Sequence, residues 1–157
     1  MTEDATDINC LLIPLVDKSL LIPRANVVEV ASPDALDDNH GSVPWFLGSI
    51  EVGGSLIPVV SFEGLCGGDI PPSTVGRSRV VLLRCLSDAL SSRAFGIVSQ
   101  GVPQLVQVSA ESLTTTENTF GESLPILCQV KMASQTPVIP DVEKLEQLIS
   151  DALAVTS

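Results

Sequence analysis

The chain has 157 residues, of which 45% are hydrophobic and 17% charged, and its formal net charge is -11. A chain of this length and apolar content buries a core of its own, which excludes general disorder and makes one domain the default. The acidic balance argues against nucleic acid, whose phosphates call for a basic surface, and against anionic lipid.

The four cysteines, Cys10, Cys66, Cys85 and Cys128, stand far apart. They form no C-x-x-C pair and no Cys/His cluster, so no metal is expected. The opening MTEDATDINC is acidic and lacks a charged-then-apolar signal pattern. No apolar run approaches the ~20 residues of a spanning helix. The expectation is a soluble, cytoplasmic protein with reduced thiols, no cofactor and no direct membrane insertion.

In chain order, residues 1–9 are polar and acidic and read as a disordered tail. Apolar runs at 10–16 and 19–22 flank Asp17-Lys18 as a first hairpin, and 27–31 follows as a strand. If that strand is regular, Glu29 points away from the face of Val28 and Val30. Residues 32–42 form a loop rich in turn formers, with His40, the only histidine, which reads as solvated. Ile50-Glu51-Val52 and Ser55-Leu56-Ile57-Pro58-Val59-Val60 then flank Gly53-Gly54. Two-residue hairpin turns favour positive φ, so a turn at the glycines sets Val52 against Ser55, Glu51 against Leu56 and Ile50 against Ile57. Ile50, Val52, Ile57 and Val59 then share one face. Pro58 lacks an amide donor, which places it on an edge strand or beside a bulge.

Residues 62–68 read as one helical turn stopped by Gly67-Gly68, and 69–78, with its Pro-Pro, as a linker between two halves. Beyond it, 80–86 is a near-continuous apolar strand, buried on both sides. Residues 94–98 and 102–108 are strands joined through Gln100-Gly101, Ser109 starts a helical turn to 113, and 124–132 and 137–139 close the set. The one clear helix is 141–153, capped by Asp141, with Val142, Leu145, Leu148, Ile149, Ala152 and Leu153 on one face. Gly and Pro, 11 of each, punctuate the short apolar runs and favour a mainly β fold.

Around the hairpin, Gly48, Val52, Gly54, Leu56, Ile57, Pro58, Val59 and Val60 fit a motif: small-Gly, two β residues, Leu-Arg-Gly, three apolar residues, Pro, two apolar residues, Asp. The second half adds Val80-Val81-Leu82-Leu83, Phe95-Gly96-Ile97-Val98 and Gly101-Val102, and the end adds apolar-Pro-Asp-Val-Glu-Lys-Leu. In this order and spacing the motifs resemble the CheW-like domain of bacterial chemotaxis adaptors, over roughly Leu11 to Ile149. The resemblance implies two small five-stranded SH3-like β-barrels packed together, with a C-terminal helix, over 10–154. It implies a non-catalytic adaptor that couples a chemoreceptor cytoplasmic tip to the regulatory domain of a histidine kinase. Carried over position by position, the partner-binding residues are Val27, Glu29, Gly48, Val52, Gly53, Gly54, Val80, Gly96 and Val102.

Three positions depart from the family pattern. Gly53 stands where the family has Arg, Ser61 where it has Asp, and Gln100 where it has Asp. In the family that Arg is a polar contact near the receptor groove, and the Asp helps to order it. Their joint absence implies weaker receptor docking and an accessory adaptor, of the pilus-associated (twitching) type.

No catalytic set assembles. A serine hydrolase needs a base, and His40 is the single candidate, with no G-x-S-x-G elbow. The 19 acids leave room for a glycosidase pair, but sugar clefts favour aromatic platforms and aromatics are 3% here. No P-loop or G-x-G-x-x-G is present. The alternative from another class is a small-barrel binder of ligand or nucleic acid, such as an OB-fold, whose surfaces combine basic residues with stacking aromatics.

Overall fold

The computed structural model describes residues 7–37, 43–70, 78–109, 113–117, 120, 124–132 and 135–156. The short apolar runs form strands β1 (Asp7–Pro14), β2 (Ser19–Pro23), β3 (Val27–Ala31), β4 (Phe46–Val52) and β5 (Ser55–Val60). After the one-turn helix α1 (Phe62–Leu65) come β6 (Arg79–Arg84), β7 (Ala94–Ser99), β8 (Gln104–Ser109), β9 (Thr114–Thr115), β10 (Ile126–Lys131) and β11 (Val138–Pro140). Helix α2 (Val142–Thr156) ends the chain.

The strands pair into two sheets, in the orders β8-β1-β2-β11-β10-β9 and β3-β6-β7-β5-β4. The mainly β reading, with two small β units and a C-terminal helix, therefore holds, although one sheet has six strands where five were expected. The units are not successive halves of the chain, however. The two ends of the chain build one sheet, and its middle builds the other. The 69–78 segment consequently joins two strands of the same sheet; its residues 71–77, like His40, lie outside the described residues. The expected tail is shorter than 1–9, because β1 continues its ladder to β8 back to Asp7, paired with Ser109. Ser109 is thereby the last residue of a strand, and residues 110–112 of the helical turn expected after it lie outside the described residues.

The glycine hairpin has the expected register of Val52 with Ser55, Glu51 with Leu56 and Ile50 with Ile57. Gly53 has φ 59° and Gly54 φ 88°, the two positive angles of a type I′ turn. Pro58 is not on an edge strand. β5 lies between β4 and β7, but its ladder to β7 begins at Val59, so the missing amide goes unused there. A register shift in β4 between Phe46 and Gly48 sits beside it, as the bulge alternative required. Asp37 and Ser49 exchange backbone bonds of 2.7 and 3.1 Å. This single bridge joins the segment after β3 to β4 and leaves β3 itself without a second strand partner among the described residues.

Strand alternation divides the apolar residues among three cores. Leu47, Ile50, Ile57, Val59, Val80, Leu82, Ala94 and Val98 fill the five-stranded barrel. Cys10, Leu12, Leu21, Val108 and Val130 fill the other sheet. The alternate residues Leu11, Ile13, Val81, Leu83, Phe95 and Ile97 meet between the sheets, with Leu145 and Ile149 of α2. Strands buried on both faces explain the near-continuous apolar runs. The Asp141 carboxylate accepts the Lys144 N–H at 3.2 Å and caps α2. Leu153, expected on the buried face, is instead exposed near the helix end.

Candidate docking cleft and strand edge

Where the two sheets meet the start of α2, the surface opens into a cleft of about 410 Å³. β2 and the turn after it supply Leu21, Ile22, Pro23 and Asn26, and the β10–β11 ladder supplies Leu127, Ile139 and Pro140. Val142 forms the floor on α2, with Asp141 and Glu143 at an acidic rim, and Leu86 reaches over from the five-stranded barrel. Leu86 is 57% exposed and Leu127 63%. Large aliphatic side chains held in the open around a concave apolar wall are the composition of an interface core rather than of ordinary surface. Among the described residues no group of three or more His, Cys, Asp or Glu is placed to hold a metal ion.

A second open surface is β3, which among the described residues has a strand partner on one side only, β6. The register shifts between Val27 and Glu29, and this irregularity overturns simple alternation. Val28, Glu29 and Val30 are all exposed, in an apolar edge with one carboxylate at its centre.

The residues carried over from the family do not form one patch. Val27 is buried in the core between the sheets, next in sequence to Asn26 of the cleft. Val80 and Gly96 face each other inside the five-stranded barrel. A Cβ on Gly96 would stand 2.9 Å from Val80 Cγ1, 3.0 Å from Leu82 Cδ2 and 3.2 Å from Val59 Cγ2. Gly48 is buried at the register shift of β4, and Val52 is half-buried against the same barrel core. Glu29, Gly53, Gly54 and Val102 are exposed, Gly53 and Gly54 at the hairpin tip and Val102 just before β8.

The coupled absence of Arg at 53 and Asp at 61 has no geometric basis. The two positions flank opposite ends of β5, and Ser55 to Ser61 alone spans roughly 20 Å at ~3.4 Å per residue, beyond the reach of an Arg side chain. Ser61 has its own task as the cap of α1. Its Oγ accepts the Gly64 N–H at 3.1 Å and donates to Glu63 Oε1 at 3.4 Å. Glu63 Oε2 in turn accepts the Val16 N–H at 3.0 Å, across 47 residues, which ties α1 to the β1–β2 turn. An aspartate at 61 would set a second carboxylate against buried Glu63.

Sequence reasoning also missed Glu146, which is 0% exposed on α2. It accepts hydrogen bonds from Leu86 N–H at 2.6 Å and from Ser87 N–H at 3.0 Å. Nearby, burial first and the Glu146 charge second push the Cys85 thiol up to about 12, while Arg93 offsets part of the rise. All four cysteines are free thiols. Cys85 should therefore stay protonated where an unfolded thiol ionises. The expected result is slow alkylation by iodoacetamide at pH 8.5 in the folded chain and rapid alkylation in urea, with equal rates contradicting the burial argument. The linked effect on stability follows in sign. The folded pKa lies above the unfolded one, so this contribution is intact below pH 9 and is lost as pH rises toward 12.

No helix among the described residues is long and apolar enough to cross a membrane. A family model described as the CheW-like domain matches residues 9–149. The crystal structure of scaffolding protein TtCheW from Thermoanaerobacter tengcongensis shares the fold, with a TM-score of 0.69 at 15% identity, over 85% of this chain and 83% of that chain. Among curated proteins none matches the sequence. With nearly its whole length inside the family model, the chain belongs to the CheW-like domain family.

Proposed function

We propose that this chain is a non-catalytic adaptor of a bacterial chemosensory array, coupling a chemoreceptor cytoplasmic tip to the regulatory domain of a histidine kinase. The observation that carries this reading is the apolar cleft beside α2, flanked by exposed Leu86 and Leu127. A receptor tip is helical, and helices dock by laying an apolar stripe into such a groove. The β3 edge, with Val28, Glu29 and Val30, is the surface for the kinase domain, because an open strand edge offers both backbone bonds and apolar area. One adaptor then holds two partners at once, in the cytoplasm where receptor tips lie. Nothing in the acidic, aromatic-poor surface favours the nucleic-acid alternative. The hairpin tip lies outside the cleft lining, and the departure at Gly53 from the family's Arg supports an accessory adaptor, of the twitching type.

Glu29→Lys tests the kinase surface. Glu29 is exposed and makes no hydrogen bond or ion pair among the described residues, so its replacement should change unfolding free energy by less than about 0.5 kcal/mol. The expected loss in affinity for a kinase regulatory domain is about tenfold by titration calorimetry. Unchanged affinity in the folded variant would remove β3 from the kinase surface.

A further inference from the structure

Leu86, the cleft wall supplied by the five-stranded barrel, sits in the loop between β6 and β7. The ladder of these strands ends at Arg84 and Ala94. Beyond it, the loop's own backbone bonds run from Cys85 N–H to Arg93 O at 3.0 Å and from Arg93 N–H to Leu90 O at 3.1 Å. Neither holds Leu86 or Ser87. Their amides donate instead to the two oxygens of Glu146, at 2.6 and 3.0 Å. The Ser87 hydroxyl donates to the same Oε1, and its oxygen accepts the Ala89 N–H at 3.3 Å. Glu146 lies four residues after Val142, on the same helix as the cleft floor. A carboxylate removed from water needs partners to offset its lost solvation. Here the partners are the backbone of the loop that shapes the cleft.

We infer that Glu146 is a positioning residue for the docking cleft: by clamping the Leu86–Ser87 peptide to α2, it fixes Leu86 at the cleft wall and sets the cleft's affinity for its partner. The inference rests on the cleft being the receptor-docking site. Leu86 is more than half exposed, so apolar packing does not hold it in place. Without the carboxylate the loop moves, and its ordering is charged against binding.

The probe is a soluble coiled-coil fragment carrying a chemoreceptor cytoplasmic tip, titrated into the full chain. Glu146→Gln keeps the side-chain shape but offers one acceptor oxygen in place of two. Its expected effect is an affinity loss of about tenfold. Amide exchange at Leu86 and Ser87 should quicken while β6 stays protected. In a Leu86→Ala background, Glu146→Gln should weaken binding no further, since its effect runs through Leu86. An equal loss in both backgrounds overturns the inference, because Glu146 then acts by general destabilisation. If Leu86→Ala weakens tip binding and Glu146→Gln does not, the clamp is refuted and the cleft reading stands. If Leu86→Ala leaves tip binding unchanged, both are refuted. Should Glu146→Gln fail to fold, Ser87→Ala keeps the carboxylate and both amides. It then carries the test with a loss of about threefold, again absent in the Leu86→Ala background.

Discussion

Gly96→Val is expected to lower the unfolding free energy by about 2–3 kcal/mol, the upper part of the range for overpacking a filled core. The reason is local. Gly96 sits mid-strand in β7, between β6 and β5, with Leu82 opposite it on β6 and Val59 on β5. The space its hydrogen occupies is bounded by Val80 Cγ1 and Val59 Cγ2, both on β-branched side chains, and these have little rotamer freedom with which to retreat. Gly96→Ala should lose less, about 1–2 kcal/mol, since one methyl meets the same walls without a second branch. Urea unfolding measures both. A loss under about 0.5 kcal/mol for valine would show that the barrel yields at this point. The comparison also separates packing from docking, because a docking role would cut partner affinity while leaving the unfolding midpoint in place.

Glu146→Ala should lower the unfolding free energy by about 3 kcal/mol, since hydrogen bonds to charged groups contribute roughly 1.5–3 kcal/mol each and the Leu86 side of the loop is open to compensating water. Two backbone amides and the Ser87 hydroxyl lose their acceptor together. Glu146→Leu decides between lost volume and lost acceptors. If the acceptors matter, leucine should be as destabilising as alanine in urea unfolding, even though it refills the space. Recovery of wild-type stability by leucine would mean that the carboxylate contributes little.

These two positions also show where the sequence was legible. The Gly53-Gly54 turn was readable because a two-residue I′ turn dictates the register of its whole hairpin. The α2 cap and the double burial of Val80 to Leu83 were readable from local chemistry and run length. The pairing of β1 with β8 was not, because no local signal distinguishes a partner nearly 100 residues away from a nearer strand. Pro58 left edge strand and bulge both open, and only the bulge applies, since where the β5–β7 ladder starts depends on a strand far along the chain. Glu63 and Glu146 were invisible as buried acids, because carboxylates read as solvated unless their donors are known. Their donors are backbone amides 47 and 60 residues away. The cleft was out of reach too. Its walls come from β2, the β6–β7 loop, β10, β11 and α2, and only the non-successive sheet order brings them together.

Binding of both partners to a single-site variant of the cleft tests the central claim most directly. Leu127 is 63% exposed, so Leu127→Glu should leave the fold within about 0.5 kcal/mol of wild type. It would bury a charge against the docked receptor helices. The account predicts that Leu127→Glu lowers affinity for a soluble chemoreceptor-tip fragment by at least about tenfold. Affinity for a kinase regulatory domain should be unchanged. Undiminished receptor binding, or an equal loss of both partners, would contradict a cleft for the receptor and a separate strand edge for the kinase.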